Sequence, residues 1–98
     1  MGASFHRLVQ SDLNRILRDY EGVSDALADD FYREFMEGVG EAVENPRYFH
    51  FDASGLRRYN LRRFPFRFLY DISLDGIRIW VLRHERRKPS LGTRRFKR

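Results

Sequence analysis

The sequence predicts an α+β domain of order β-α-α-β-β-β, with two helices packed on one face of a small, mainly antiparallel sheet. Three observations carry this. Apolar residues recur at helical spacing in the first half of the chain, at Leu13, Ile16, Leu17 and Tyr20, then at Leu27, Phe31, Phe35, Val39 and Ala42/Val43. The second half changes period: Phe66, Phe68, Tyr70 and Ile72 alternate with Arg67, Leu69 and Asp71. Asp75-Gly76 then separates that run from another apolar run, a favoured two-residue hairpin signal.

The elements follow in order. Residues 4–9 form a short strand candidate with weak alternation. Ser11 is the expected N-cap of the first helix, and Gly22 ends it. Ser24 caps the second helix, with Asp25 favourable beside its positive end. Gly38 and Gly40 weaken that helix by about 1 kcal/mol each relative to alanine, and invite close packing. Asn45-Pro46 stops it. Residues 47–55 form a loop, with turn chemistry at Asp52-Ala53-Ser54-Gly55. Strands are expected over 56–61, 66–73 and 77–83. One domain therefore spans 1–89. A basic tail, 90–98, is expected to be loosely ordered unless a partner holds it.

Ninety-eight residues can bury one modest core. The absence of cysteine excludes disulfides and thiolate metal sites. No histidine pair has ligand spacing, so neither a metal nor a cofactor is expected. The first ten residues lack a signal-like apolar core, and no apolar run reaches the ~18 residues of a membrane span. The expectation is a cytoplasmic protein with no membrane partner.

Charge is unevenly spread. Residues 1–56 hold five Lys/Arg against eleven Asp/Glu, a net of −6; residues 57–98 hold fourteen against three, a net of +11. The basic half uses arginine except at Lys88 and Lys97, and arginine is the better fork for carboxylate and phosphate. The sheet half should therefore dock onto something anionic.

The hairpin sharpens the location. With Asp75-Gly76 as the loop, Ile72 opposes Ile79 and Tyr70 opposes Val81 on a core face. Asp71 then opposes Trp80, Leu69 opposes Leu82 and Arg67 opposes His84 on the other. Tyr59 and Leu61 join the core, and Arg58 and Asn60 point outward beside Arg67. The open face thus gathers Arg58, Asn60, Arg67, Trp80 and His84, with Arg86 and Arg87 just beyond. A face of this kind suits binding.

The element order and three segments resemble the RelE/ParE toxins of bacterial type II toxin–antitoxin pairs. The segments are Leu56-Arg57-Arg58-Tyr59-Asn60-Leu61, then Arg63-Phe64-Pro65-Phe66-Arg67-Phe68-Leu69-Tyr70, then Val81-Leu82-Arg83-His84-Glu85-Arg86-Arg87-Lys88-Pro89. Glu44-Asn45-Pro46 is also similar. The resemblance covers roughly residues 5–89 and implies a cytoplasmic toxin neutralised by a cognate antitoxin. It implies one of two targets: DNA gyrase for the ParE type, or the ribosome and its mRNA for the RelE type, an endoribonuclease.

For the nuclease, the resemblance implies catalytic roles for Arg67 and Arg87; His84 is the nearby titratable group, which either acts as base or only hydrogen-bonds at the strand end. Two positions that are lysine in the RelE type are Arg58 and Asn60 here. Arginine does not give up a proton in a protein, and asparagine supplies no charge. This departure, and the Arg-His-x-x-Arg-x-Pro ending, place the expectation nearer ParE. Arg58, Asn60, Arg67, Trp80, His84, Arg86 and Arg87 are then the residues that bind target or antitoxin. A third expectation is a plain nucleic-acid-binding module, with Tyr59 and Trp80 stacking on bases.

Overall fold

The computed structural model describes residues 2–88 and 90–96. Strand β1 (Gly2–Phe5) leads into helices α1 (Arg7–Glu21) and α2 (Asp25–Glu44), followed by β2 (Arg57–Asn60), β3 (Phe66–Ser73) and β4 (Gly76–His84). A single 3₁₀ turn, Thr93–Arg95, closes the described chain. The sheet order is β1-β4-β3-β2; β1 runs parallel to β4 and the other pairs are antiparallel. Both helices pack on one face, so the expected α+β class and element order are borne out.

The first strand is shorter than expected, and α1 starts earlier. Its N-cap is His6, whose Nδ1 accepts from Leu8 N–H at 3.1 Å, and Ser11 lies inside the helix. Val9 explains the misplacement. It shares one helical stripe with Leu13 and Ile16, all three buried against the sheet, but in sequence it also extends a strand-like run. Ser24 does cap α2, accepting from Leu27 N–H at 3.1 Å. Of the two α2 glycines only Gly38 permits a close approach: a Cβ there would fall 2.6 Å from Tyr59 Cε1.

The helix-facing core is aromatic. Phe31, Phe35, Phe64, Phe68, Tyr59 and Tyr70 are buried in it, and Tyr20 and Phe66 pack on its margin. Phe31 meets Phe64 and Phe66 edge-to-face at 5.2 and 5.3 Å, a favoured quadrupole geometry. Tyr70 keeps its buried hydroxyl satisfied by donating to the Pro46 carbonyl at 2.8 Å.

The β3–β4 register differs from the expected one in two ways. Ser73 opposes Gly76, so the loop residues are Leu74-Asp75, and Ile72 opposes Ile77. Gly76 has φ +146°, and a Cβ on it would fall 1.9 Å from the Gly2 carbonyl oxygen. The glycine is thus spent on letting β1 pack alongside, rather than on the loop. Second, Tyr70 opposes Ile79 but Leu69 opposes Val81, so Trp80 is an extra residue, a β-bulge.

The bulge exchanges faces along the rest of β4. Ile79 and Leu82 lie in the helix-side core, whereas Val81 joins Leu69 and Leu56 in a second cluster on the outer face, with Trp80 and Phe96 against it. The outer face is therefore not open along its length. Thr93 is buried, and a Cβ at Gly92 would fall 2.8 Å from Val81 Cγ1. In place of a loosely ordered tail, residues 90–96 lie against the sheet, while the end of the expected tail, 97–98, lies outside the described residues.

Candidate functional site

Strand β2 supplies the first part of the site. Tyr59 pairs with Phe68 toward the helices, so Arg58 and Asn60 point outward, opposite Leu69 and Arg67. Arg58, Asn60 and Arg67 therefore share the outer face, as expected from the sequence. The residue opposite Arg67 on β4 is Arg83, not His84. Arg83 is almost fully buried; it donates to the Leu91 carbonyl at 2.9 Å and lies 3.6 Å from the Asp52 carboxylate. Burial holds Arg83 below the usual arginine value, Asp52 opposes that, and the neighbouring Arg67 charge adds to it. Arg67 is half-buried, and among the described residues its Nε has no hydrogen-bond partner.

His84 faces the other way. Its ring lies 5.1 Å from Phe66, on the helix side, because the bulge reverses the alternation. The turn after β4 fixes it further: His84 Nδ1 accepts from Arg86 N–H at 3.0 Å, and the His84 carbonyl accepts from Arg87 N–H at 3.0 Å. An imidazole whose Nδ1 accepts carries its neutral-state proton on Nε2, so it presents a donor. That is the geometry of a strand-end hydrogen bond, not of a general base. His84 and Arg87 line a cleft of about 460 Å³, with Arg15, Asp19, Asp12 and Arg95 on its other walls. The nuclease set thus splits, with Arg67 on one face of the sheet and His84 and Arg87 on the other side of β4.

Two further expectations need correction. Tyr59 is not a stacking residue, since it is buried against Phe68 at 5.0 Å and burial pushes its hydroxyl up to about 12. Trp80 does lie on the outer face, but its partners are within the fold. Its Nε1 donates to Asp71 at 2.9 Å, its ring meets Phe96 at 5.6 Å, and the Arg78 guanidinium sits 4.8 Å from it. Arg86 and Arg87 are exposed, as expected of residues beyond the strand end.

Two groups escaped the sequence reading. Asp12 on α1 is buried, accepts from Arg95 at 2.7 and 3.3 Å, and also takes the Leu82 N–H. Arg95 donates in addition to the Trp80 carbonyl at 3.1 Å, so this pair supplies partners to the backbone of the bulge. An acidic residue one step off a helix stripe was the only available signal. The second group is the aromatic loop 47–51, which presents Tyr48 and Phe51 to solvent.

Among the described residues no group of His, Cys, Asp and Glu is placed to hold a metal ion, and no helix is long and apolar enough to cross a membrane. Compared with models of known protein families the chain matches none, and no curated protein matches it significantly.

Proposed function

We propose that this chain is the toxin of a bacterial type II toxin–antitoxin pair of the RelE/ParE kind, closer to ParE, arresting growth by acting on DNA gyrase in the cytoplasm. One observation carries the choice of ParE. Arg58, Asn60 and Arg67 meet on the outer face, while His84, the only histidine of β4, is turned to the opposite side and tied by Arg86 N–H. RNA cleavage through the 2′-hydroxyl needs proton transfer beside the charge-stabilising group. Arg67 has the charge without that neighbour, which is the composition of a docking surface. The cognate antitoxin neutralises the toxin by laying an acidic segment over Arg58, Arg67 and the Arg86/Arg87 turn.

The test is inducible expression, with gyrase assays on the purified protein. Growth arrest with stabilised gyrase–DNA breaks, both lost in Arg67→Glu, is the expected result. Harmless expression of a folded product overturns the toxin reading. A second reading, the endoribonuclease, is favoured by the shared cleft of His84 and Arg87. It requires ribosome-dependent mRNA cleavage that disappears in His84→Ala and Arg87→Ala.

A further inference from the structure

We propose that the loop 47–51 is a stacking platform for single-stranded nucleic acid, built on the β2 edge of the sheet and separate from the cleft at His84. Tyr48 is 77% exposed and Phe51 61% exposed. Aromatic rings of this size ordinarily bury themselves, yet two stand exposed within four positions of one loop.

The loop is rigidly held, so the exposure is built in. Arg57 donates from Nη1 to the carbonyls of Arg47 and Phe49 at 3.2 and 2.9 Å. The His50 carbonyl accepts from Arg58 N–H at 2.9 Å, and Asp52 N–H donates to Leu56 at 2.7 Å. Phe49 is the inward anchor, its ring 5.0 Å from Tyr59. With Phe49 pinned inside, Tyr48 and Phe51 remain outside. A pre-formed surface loses little entropy when it binds.

The charge beside these rings is positive. The Arg57 guanidinium sits 4.1 Å from the Phe51 centroid, and Arg47 and Arg58 flank the loop. Two nearby carboxylates have cationic partners, Asp52 with Arg83 and Glu41 with Arg62 at 3.6 Å, while the exposed Glu44 at the end of α2 stands beside the loop. Aromatic faces interleaved with arginine match a strand whose bases are free to stack and whose phosphates need cations. A duplex hides its base faces, so this surface favours single strands.

The proposal does not depend on the toxin reading, and its test uses different residues. Labelled homo-oligomers of thymidine or uridine, about 12 nucleotides long, are titrated with the full chain and followed by fluorescence anisotropy, beside a duplex of equal length. Both single strands are expected to bind more tightly than the duplex. Tyr48→Ala and Phe51→Ala should each weaken binding roughly tenfold, while Tyr48→Trp retains it. Arg47→Ala should lower the salt dependence by about one phosphate contact. A preference for uridine or for thymidine supports the platform and identifies RNA or DNA as its strand. Because both rings are exposed, the variants should keep wild-type circular dichroism. Equal or tighter duplex binding, or a folded Tyr48→Ala/Phe51→Ala double variant that binds unchanged, overturns the proposal. So does a failure to bind any strand at low salt, which would leave the rings to a protein partner.

Discussion

Breaking the Asp12–Arg95 pair should unlatch the C-terminal segment and destabilise the whole domain. Both oxygens of Asp12 accept from Arg95, at 2.7 and 3.3 Å, and the side chains are 7% and 18% exposed. Removing one partner of a buried pair costs roughly 3–5 kcal/mol, because the other charge is left without compensation. Arg95 keeps some solvent, so Asp12→Ala should fall at about 3 kcal/mol, the lower end of that range. Arg95→Ala should cost no more than this, because Asp12 then keeps the Arg15 guanidinium at 3.5 Å and the Leu82 N–H. For a chain of this size, 1 kcal/mol moves the melting temperature by roughly 4–8 °C, so either change should be plain in a thermal scan. The decisive measurement is a double-mutant cycle in urea. Asp12→Ala/Arg95→Ala should be much less destabilised than the two single losses added together, with a coupling of about 2 kcal/mol. Additive losses, with coupling below about 0.5 kcal/mol, would refute the idea that the last segment is an integral part of the fold.

Other outcomes follow from single groups. Gly76→Ala forces a residue into φ +146° against the Gly2 carbonyl; it should cost about 1–3 kcal/mol and speed hydrogen exchange in β1. His6 is held below its ordinary value by burial, then by the charges of Arg95, Arg78 and Arg7. Its contribution to stability is therefore present above pH ~6.5 and lost as pH falls through its lower folded value, when protonated Nδ1 can no longer accept from Leu8. An NMR titration should place its midpoint below the ordinary histidine value of about 6.5. Tyr59 and Tyr70 are both pushed up to about 12, chiefly by burial. Ultraviolet titration should show two tyrosines ionising near 12, above the ordinary phenol value of about 10, with stability lost as pH rises toward 12.

The outward placement of Arg58, Asn60 and Arg67 was legible because each sits one residue from a core aromatic, and a strand alternates strictly. His84 was misplaced by the same rule. Strict alternation runs on through Trp80, where the chain instead inserts an extra residue that no local signal marks. One bulge moved His84 to the helix side and Arg83 into its place, and with it divided the expected nuclease set.

The amino-acid sequence alone determined the two helical stripes, the alternating strands, and a basic half set against an acidic one. Those are properties of neighbours along the chain, where periodicity and charge report directly on which side must be buried. Only the tertiary structure decided the parallel pairing of β1, the bulge at Trp80, and the latch from Asp12 to Arg95 across 83 positions. Each depends on groups far apart in sequence satisfying one another's hydrogen bonds and charge, and no local pattern encodes such a partner.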